Sequence, residues 1–281
     1  MSIDPATRMG AVELTVADLD RSIDYWQRQI GLDVRARENG RAELGVDETV
    51  VVLVEQPGAE PADGFTGLYH VALLVPDRPS LARWLAHAAR DRVALTGLSD
   101  HDVSEAIYLR DPDHHGIEIY ADRPRERWQG EVAQRMTTIP LDVDDLLGEL
   151  DDPGAEPFDG LPERTRVGHV HLRVADVDET VRFYRDVLGF DLMAQLGPAA
   201  AFLAAGGYHH HLGANTWESR SAPPAPAGSA TLRHATVLVP SRDELERVVA
   251  RAADAGQEPE PVELGVLVRD PSANGLLLSY T

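Results

Sequence analysis

The chain has 281 residues, 47 of them acidic against 26 basic, for a formal charge of −21, and it contains no cysteine. Disulfides, thiolate metal sites and cysteine nucleophiles are thereby excluded, so any metal chemistry must use nitrogen and oxygen ligands. An acidic surface also argues against nucleic acid or anionic membranes as partners. The length suits one large or two ordinary domains. The excess of acid is best tolerated where salt screens it, which predicts a salt-adapted, halophilic cytoplasm; that every basic residue is arginine has the rival explanation of a GC-rich genome, which does not account for the acidity. The opening MSIDPATRMG lacks a basic segment followed by an apolar one, and runs such as VVVLV are too short to span a bilayer. A cytoplasmic location is expected.

In chain order, GAVELTVADLDRSIDYWQRQIGLDV starts at Gly10 with period-2 alternation ending at Val16. Asp18 then stands at the start of an amphipathic stretch, which is a strand, an N-cap and a helix. Short strands follow, ending in VVVLVEQ. The pattern restarts at Tyr69 (YHVALLVPDRPSLARWLAHA), with Asp77 at the helix start and AIYLRDPDHHGIEIY as later strands. It returns at Gly168 (GHVHLRVADVDETVRFYRDVLGFDL), a gapless match to the first copy, with Asp176 as N-cap and GGYHHHLGANTW downstream. The fourth copy, RHATVLVPSRDELERVVARA from Arg233, has Ser241 as N-cap and ends in VLVRDPSANGLLLSY.

Four βαβββ modules are therefore predicted. Residues 1–130 hold the first two (about 8–57 and 66–123). An acidic, Pro/Gly-punctuated linker with one short helix occupies 131–165, and residues 166–281 hold the last two (about 166–218 and 230–281). SRSAPPAPAGSA, from Ser219, reads as a flexible join.

Four modules with this wording resemble the vicinal-oxygen-chelate superfamily of glyoxalases, fosfomycin-resistance proteins and extradiol ring-cleaving dioxygenases. DHDVSEAIYLRDPDHHGIEIYADRPRERWQ, TIPLDVDDLL and GGYHHHLGANTW resemble its CatE-type catechol 2,3-dioxygenases. The resemblance implies an α+β fold in which modules pair into two half-open barrels, with metal ligands on the first and last strands.

The first-strand slot, seven residues before each helix start, holds Ala11, His70, His169 and His234. The last-strand slot, six residues beyond the proline of a DP turn, holds Glu118 in module two but Leu277 in module four. The resemblance thus implies a two-histidine, one-carboxylate site of His70, His169 and Glu118. Fe(II) is the expected metal, and Mn(II) satisfies the same ligands. This choice requires module two to pair with three and module one with four, leaving Ala11, His234 and Leu277 as a dead site. His171, two residues along from His169, would be an outer neighbour of the metal, since its slot is Glu13 in the first module.

By the same resemblance His210 is the acid–base catalyst, Tyr108 the tyrosine that hydrogen-bonds substrate or oxygen, and His101 a supporting histidine. Strand alternation would set His209 and His211 on the face opposite His210, and the sequence leaves open which face is productive. His114 and His115 read as a solvated turn. The implied activity is extradiol cleavage of a small aromatic diol with O2, in aromatic degradation. A glyoxalase-like isomerase or thiol transferase, or a ligand-sequestering protein of the same fold, are the alternatives, and assembly into homo-oligomers is left open.

Overall fold

A computed structural model describes residues 2–155 and 157–281. The βαβββ order occurs four times. Module one has β1 (Arg8–Val16), α1 (Leu19–Tyr25), β2 (Asp33–Glu38), β3 (Arg41–Gly45) and β4 (Thr49–Glu55); module two has β5 (Gly67–Leu74), α2 (Arg78–Asp91), β6 (Leu95–Asp100), β7 (Ser104–Arg110) and β8 (Gly116–Asp122). After α3 (Val132–Arg135), β9 (Ile139–Pro140) and α4 (Val143–Leu147), module three has β10 (Arg166–Arg173), α5 (Val177–Val181), β11 (Asp191–Leu196), β12 (Ala200–Ala204) and β13 (Leu212–Asn215). Module four has β14 (Leu232–Val239), α6 (Arg242–Asp254), β15 (Glu260–Val262), β16 (Gly265–Arg269) and β17 (Gly275–Tyr280).

The helix starts follow from side-chain capping. Asp18, Asp77, Asp176 and Ser241 each accept a hydrogen bond from the backbone N–H three residues on, a contact worth about 1 kcal/mol. The gapless match of modules one and three extends to an irregularity. Both helices continue as π-helical turns, Trp26–Ile30 and Arg182–Leu188, and both end at a left-handed glycine, Gly31 (φ 93°) and Gly189 (φ 92°).

Two curled sheets result. One has nine strands in the order β11-β12-β13-β10-β5-β8-β7-β6-β9, the other eight in the order β15-β16-β17-β14-β1-β4-β3-β2. The central pairs are β10 with β5 and β1 with β14, both antiparallel. Module two therefore joins module three, and module one joins module four. Chain halves 1–130 and 166–281 divide the sequence but not space, because each half gives one module to each sheet.

The DP turns tie the sheets together. From module two, Asp113 accepts from Arg21 (2.6 Å) and Ser22 (3.2 Å) on α1. From module four, Asp270 accepts from Tyr184 Oη (3.0 Å), and Ser272 Oγ accepts from the Ala175 N–H (2.9 Å). His114 is exposed beside Asp63, as a solvated turn requires. His115 corrects that reading: its side chain is buried and Nε2 donates to the Thr15 carbonyl across the inter-sheet boundary at 2.9 Å.

The linker is also corrected. Segment 131–165 forms two short helices and a strand instead of one helix, and β9 adds to the edge of the nine-stranded sheet beside β6. Its acidity masks the apolar residues Val132, Leu141, Leu146 and Leu161, which are buried. Arg78 at the start of α2 holds α4 and its end through Asp145 and Glu149 (both 2.6 Å). The join from Ser219 is likewise tied down, by Ser219 Oγ to the Val174 carbonyl (2.9 Å) and by Ala230 N–H to the Glu60 carbonyl (2.9 Å). Among the described residues no helix is long and apolar enough to cross a membrane.

Candidate metal centre

Strands β10, β5 and β8 lie side by side in the nine-stranded sheet. Their register aligns His169 with Ala72 and Ala72 with Glu118, while His70 pairs with His171. Residues two apart on a strand share a face, so His70, His169, His171 and Glu118 project from one side of the sheet. The residue between His169 and Glu118 is Ala72, whose single methyl leaves the space between them to be filled by His70.

The three predicted ligands meet. His70 Nε2 lies 2.9 Å and His169 Nε2 3.1 Å from the same oxygen, Glu118 Oε2, and the two nitrogens are 3.4 Å apart. All three side chains are buried, and they form a cluster able to hold a metal ion. Ligand atoms about 2.1 Å from one six-coordinate metal and at right angles to each other stand about 3 Å apart. The observed triangle has that spacing, so the residues fit a mononuclear metal bound on one face.

Protonation agrees with the donor set. Burial pushes the His169 imidazole down to about 4 despite the nearby Glu118. Burial alone would raise the Glu118 carboxyl, yet the facing His169 and His70 more than offset it and hold Glu118 well below the usual carboxylate range. A neutral imidazole and an ionised carboxylate are the states that bind a divalent cation. His169 Nδ1 has no hydrogen-bond partner among the described residues; its ring is oriented by packing against His210 (centroids 4.0 Å apart) and Tyr120 (4.9 Å).

The cluster opens into a cavity of about 960 Å³, lined also by His101, Tyr108, His171 and His210 and walled by Tyr69, Phe202 and Trp217. Residues 8–119 and 166–276 match the Glyoxalase/Bleomycin resistance protein/Dioxygenase superfamily. The chain belongs to this superfamily. It is 43% identical over 277 residues to the catechol-2,3-dioxygenase of Bacillus subtilis (strain 168), covering 96% of each chain. It is 24% identical to the metapyrocatechase of Geobacillus stearothermophilus, over 67% of this chain and 53% of that protein. Glyoxalase I from Zea mays shares the fold, with a TM-score of 0.61 at 16% identity over 97% of this chain and 92% of that one. Close homology to a catechol dioxygenase and the three-residue cluster together imply a metal cofactor in this superfamily member.

Around the cluster, Tyr108 faces Glu118 in the β7–β8 register. Its hydroxyl is 2.7 Å from His101 Nε2, and His101 Nδ1 donates to the Thr137 carbonyl at 2.7 Å. With its single ring hydrogen on Nδ1, His101 accepts at Nε2 and Tyr108 donates to it. Burial, reinforced by the Glu118 charge, pushes the Tyr108 phenol well above its ordinary range.

The histidine run departs from its expected geometry. His209, His210 and His211 precede β13 and are not themselves on a regular strand. Gly206 (φ +61°) and Gly207 (φ +67°) turn the chain in the left-handed region, and a Cβ on Gly206 would come within 2.3 Å of the Pro5 carbonyl. Alternation therefore fails: His209 and His210 do not oppose each other, and their Nδ1 atoms are 2.8 Å apart. His210 lines the cavity, whereas His209 and His211 do not. Burial holds the His210 imidazole well below its usual range and that of His211 down to about 3.

Other contributors were harder to read from sequence. The cavity wall includes Ala133, Met136, Thr137 and Thr138 from the segment expected to be a linker; its only signal was the wording TIPLDVDDLL. His171 lies nearer the site than an outer neighbour need be, lining the cavity with its ring 5.0 Å from that of His70. Gly213 pairs with His171, and a Cβ there would come within 2.8 Å of the His171 ring. His234 and Leu277 stand in the eight-stranded sheet, apart from the cluster.

Proposed function

We propose that the chain is an extradiol ring-cleaving dioxygenase that acts on a catechol-type substrate with O2 at a mononuclear Fe(II) held by His70, His169 and Glu118, with Mn(II) satisfying the same donors. The observation that carries this reading is the convergence of one carboxylate and two imidazoles at 2.9–3.4 Å on one wall of an aromatic-lined cavity. When bound, such a metal supplies a Lewis-acidic centre with open positions for the two substrate oxygens and for O2. The chain's own residues supply binding, orientation and proton traffic. Tyr69, Phe202 and Trp217 line the cavity and give a flat ring an apolar wall. His210, held neutral by burial, takes a proton from a substrate hydroxyl and returns it later, a role worth about 10²–10⁴-fold in rate. Tyr108, oriented by His101, offers its oxygen to the substrate.

A glyoxalase-like or thiol-transferring site of this fold carries a second carboxylate on a last strand. Within the nine-stranded sheet the residue on β13 that corresponds to Glu118 on β8 is Gly213, which the His171 ring requires. That substitution disfavours the alternative. The cysteine-free composition supports a cytoplasmic location. The test is oxygen uptake and growth of a yellow ring-cleavage chromophore when catechol and air are added to Fe(II)-loaded protein. His210→Gln should keep the metal and lose most of the turnover. Catechol bound without oxygen uptake would instead indicate a sequestering protein.

A further inference from the structure

Behind His210, away from the cavity, a chain of hydrogen bonds runs to the end of β8. His210 Nδ1 is 2.8 Å from His209 Nδ1, and His209 Nε2 is 2.9 Å from Asp122 Oδ1. The same carboxylate oxygen accepts from Tyr208 Oη at 3.0 Å, and Tyr208 Oη is 2.8 Å from Tyr120 Oη. His209 is fully buried and packed against the rings of Tyr208 (centroids 4.0 Å apart) and Trp128 (5.4 Å). Gly168 makes room for the far end, because a Cβ there would come within 1.8 Å of Tyr120 Oη.

From this geometry we infer that Asp122 and His209 are positioning residues that fix the tautomer of His210, so that its Nε2 presents a lone pair to the cavity. This rests on the role assigned above to His210. An ionised carboxylate only accepts hydrogen bonds, so His209 must carry its hydrogen on Nε2. With its single ring hydrogen on Nε2, His209 has a bare Nδ1. Two bare nitrogens at 2.8 Å would repel, so His210 must donate from Nδ1. A neutral imidazole with its hydrogen on Nδ1 is unprotonated at Nε2, the atom needed to receive a substrate proton. No other hydrogen-bond partner of the His210 ring is found among the described residues, so the tautomer is set from behind. Nothing in the histidine triplet alone specifies this; it depends on a carboxylate 87 residues away in sequence.

Neutron diffraction from the deuterated, metal-loaded protein tests this without any substitution. Deuterium is expected on His209 Nε2 and His210 Nδ1 and absent from His210 Nε2. Deuterium on both nitrogens of His209 together with His210 Nε2 would overturn the inference, since His210 would then present a donor to the cavity. In kinetics, Asp122→Asn can turn its amide N–H toward His209 and reverse both tautomers. It should lower kcat about 10–100-fold with KM for catechol within about twofold, and Asp122→Glu should restore part of the loss. Wild-type kcat in Asp122→Asn would contradict the inference. The diffraction result reads the tautomers whether or not catechol is the substrate, so failure of the dioxygenase reading is separable from failure of this one.

Discussion

The two sheets are built from the same module twice over, yet among the described residues only one assembles a cluster able to hold a metal ion. In the nine-stranded sheet Ala72 pairs with Glu118 and His70 with His171; in the eight-stranded sheet Thr236 pairs with Leu277 and His234 with Glu13. The backbone register is the same, and the side chains differ. Leu277 replaces the carboxylate and Ala11 the second first-strand histidine. His234 remains, half-buried beside Glu13, which is already engaged by Arg233 at 2.8 Å. Burial lowers the His234 imidazole, and Glu13 only partly offsets this. The difference teaches that the fold supplies the positions, while three side chains decide whether a metal can be held.

The largest expected effect breaks the working half of that comparison. Glu118→Ala removes the only carboxylate from two facing imidazoles, and ring cleavage should fall to below roughly one hundredth of wild type, beyond what loss of an outer-shell contact costs. Leu277→Ala, at the matching position of the other sheet, should leave turnover unchanged while lowering stability by about 2–5 kcal/mol through a core cavity. Equal losses of turnover in a folded Leu277→Ala would show that the two sheets are not functionally separate.

A second, intermediate effect comes from the buried imidazoles of the nine-stranded sheet. His211 titrates near 3 when folded against an ordinary 6.5. A depressed folded value means that the stability is fully present above 6.5 and is lost as pH falls toward about 3, by about 1.4 kcal/mol per pH unit for one group. His211→Gln keeps an acceptor for the Ala205 N–H, which donates to His211 Nδ1 at 3.1 Å. Denaturant melts between pH 6 and 4.5 should show a slope shallower by about one proton in the variant. An unchanged slope would remove His211 from this account.

The smallest effect concerns both sheets alike. With a charge of −21, self-repulsion should relax as the Debye length shrinks to about 3 Å at 1 M salt. The melting temperature should rise, by roughly 2–4 °C per kcal/mol of relieved repulsion. A flat or falling melting temperature would count against salt adaptation.

Much of this was legible in the sequence because it is periodic. The module repeat and the N-caps follow from alternation and fixed offsets, while the slots of His70, His169 and Glu118, and with them the pairing of modules two and three, were what the family resemblance implied. What escaped lies where periodicity stops. Gly206 and Gly207 take His209–His211 off the strand lattice, so alternation could not say that His209 and His210 touch. Segment 131–165 looked like a linker because its few apolar residues are spread among acids, yet it walls the cavity and supplies the Thr137 carbonyl to His101. Asp122 lies inside the stretch ending in YADRPRERWQ, but nothing there singles it out, because its contact with His209 is made only in the folded chain.

The claim that the metal belongs to modules two and three is tested most directly by metal content. Wild type, His169→Ala and His234→Ala would be purified without oxygen, loaded with Fe(II) and desalted. The account predicts about one iron per chain in wild type and in His234→Ala, and almost none in His169→Ala. Iron retained in His169→Ala but lost in His234→Ala would place the site in the other sheet and contradict it.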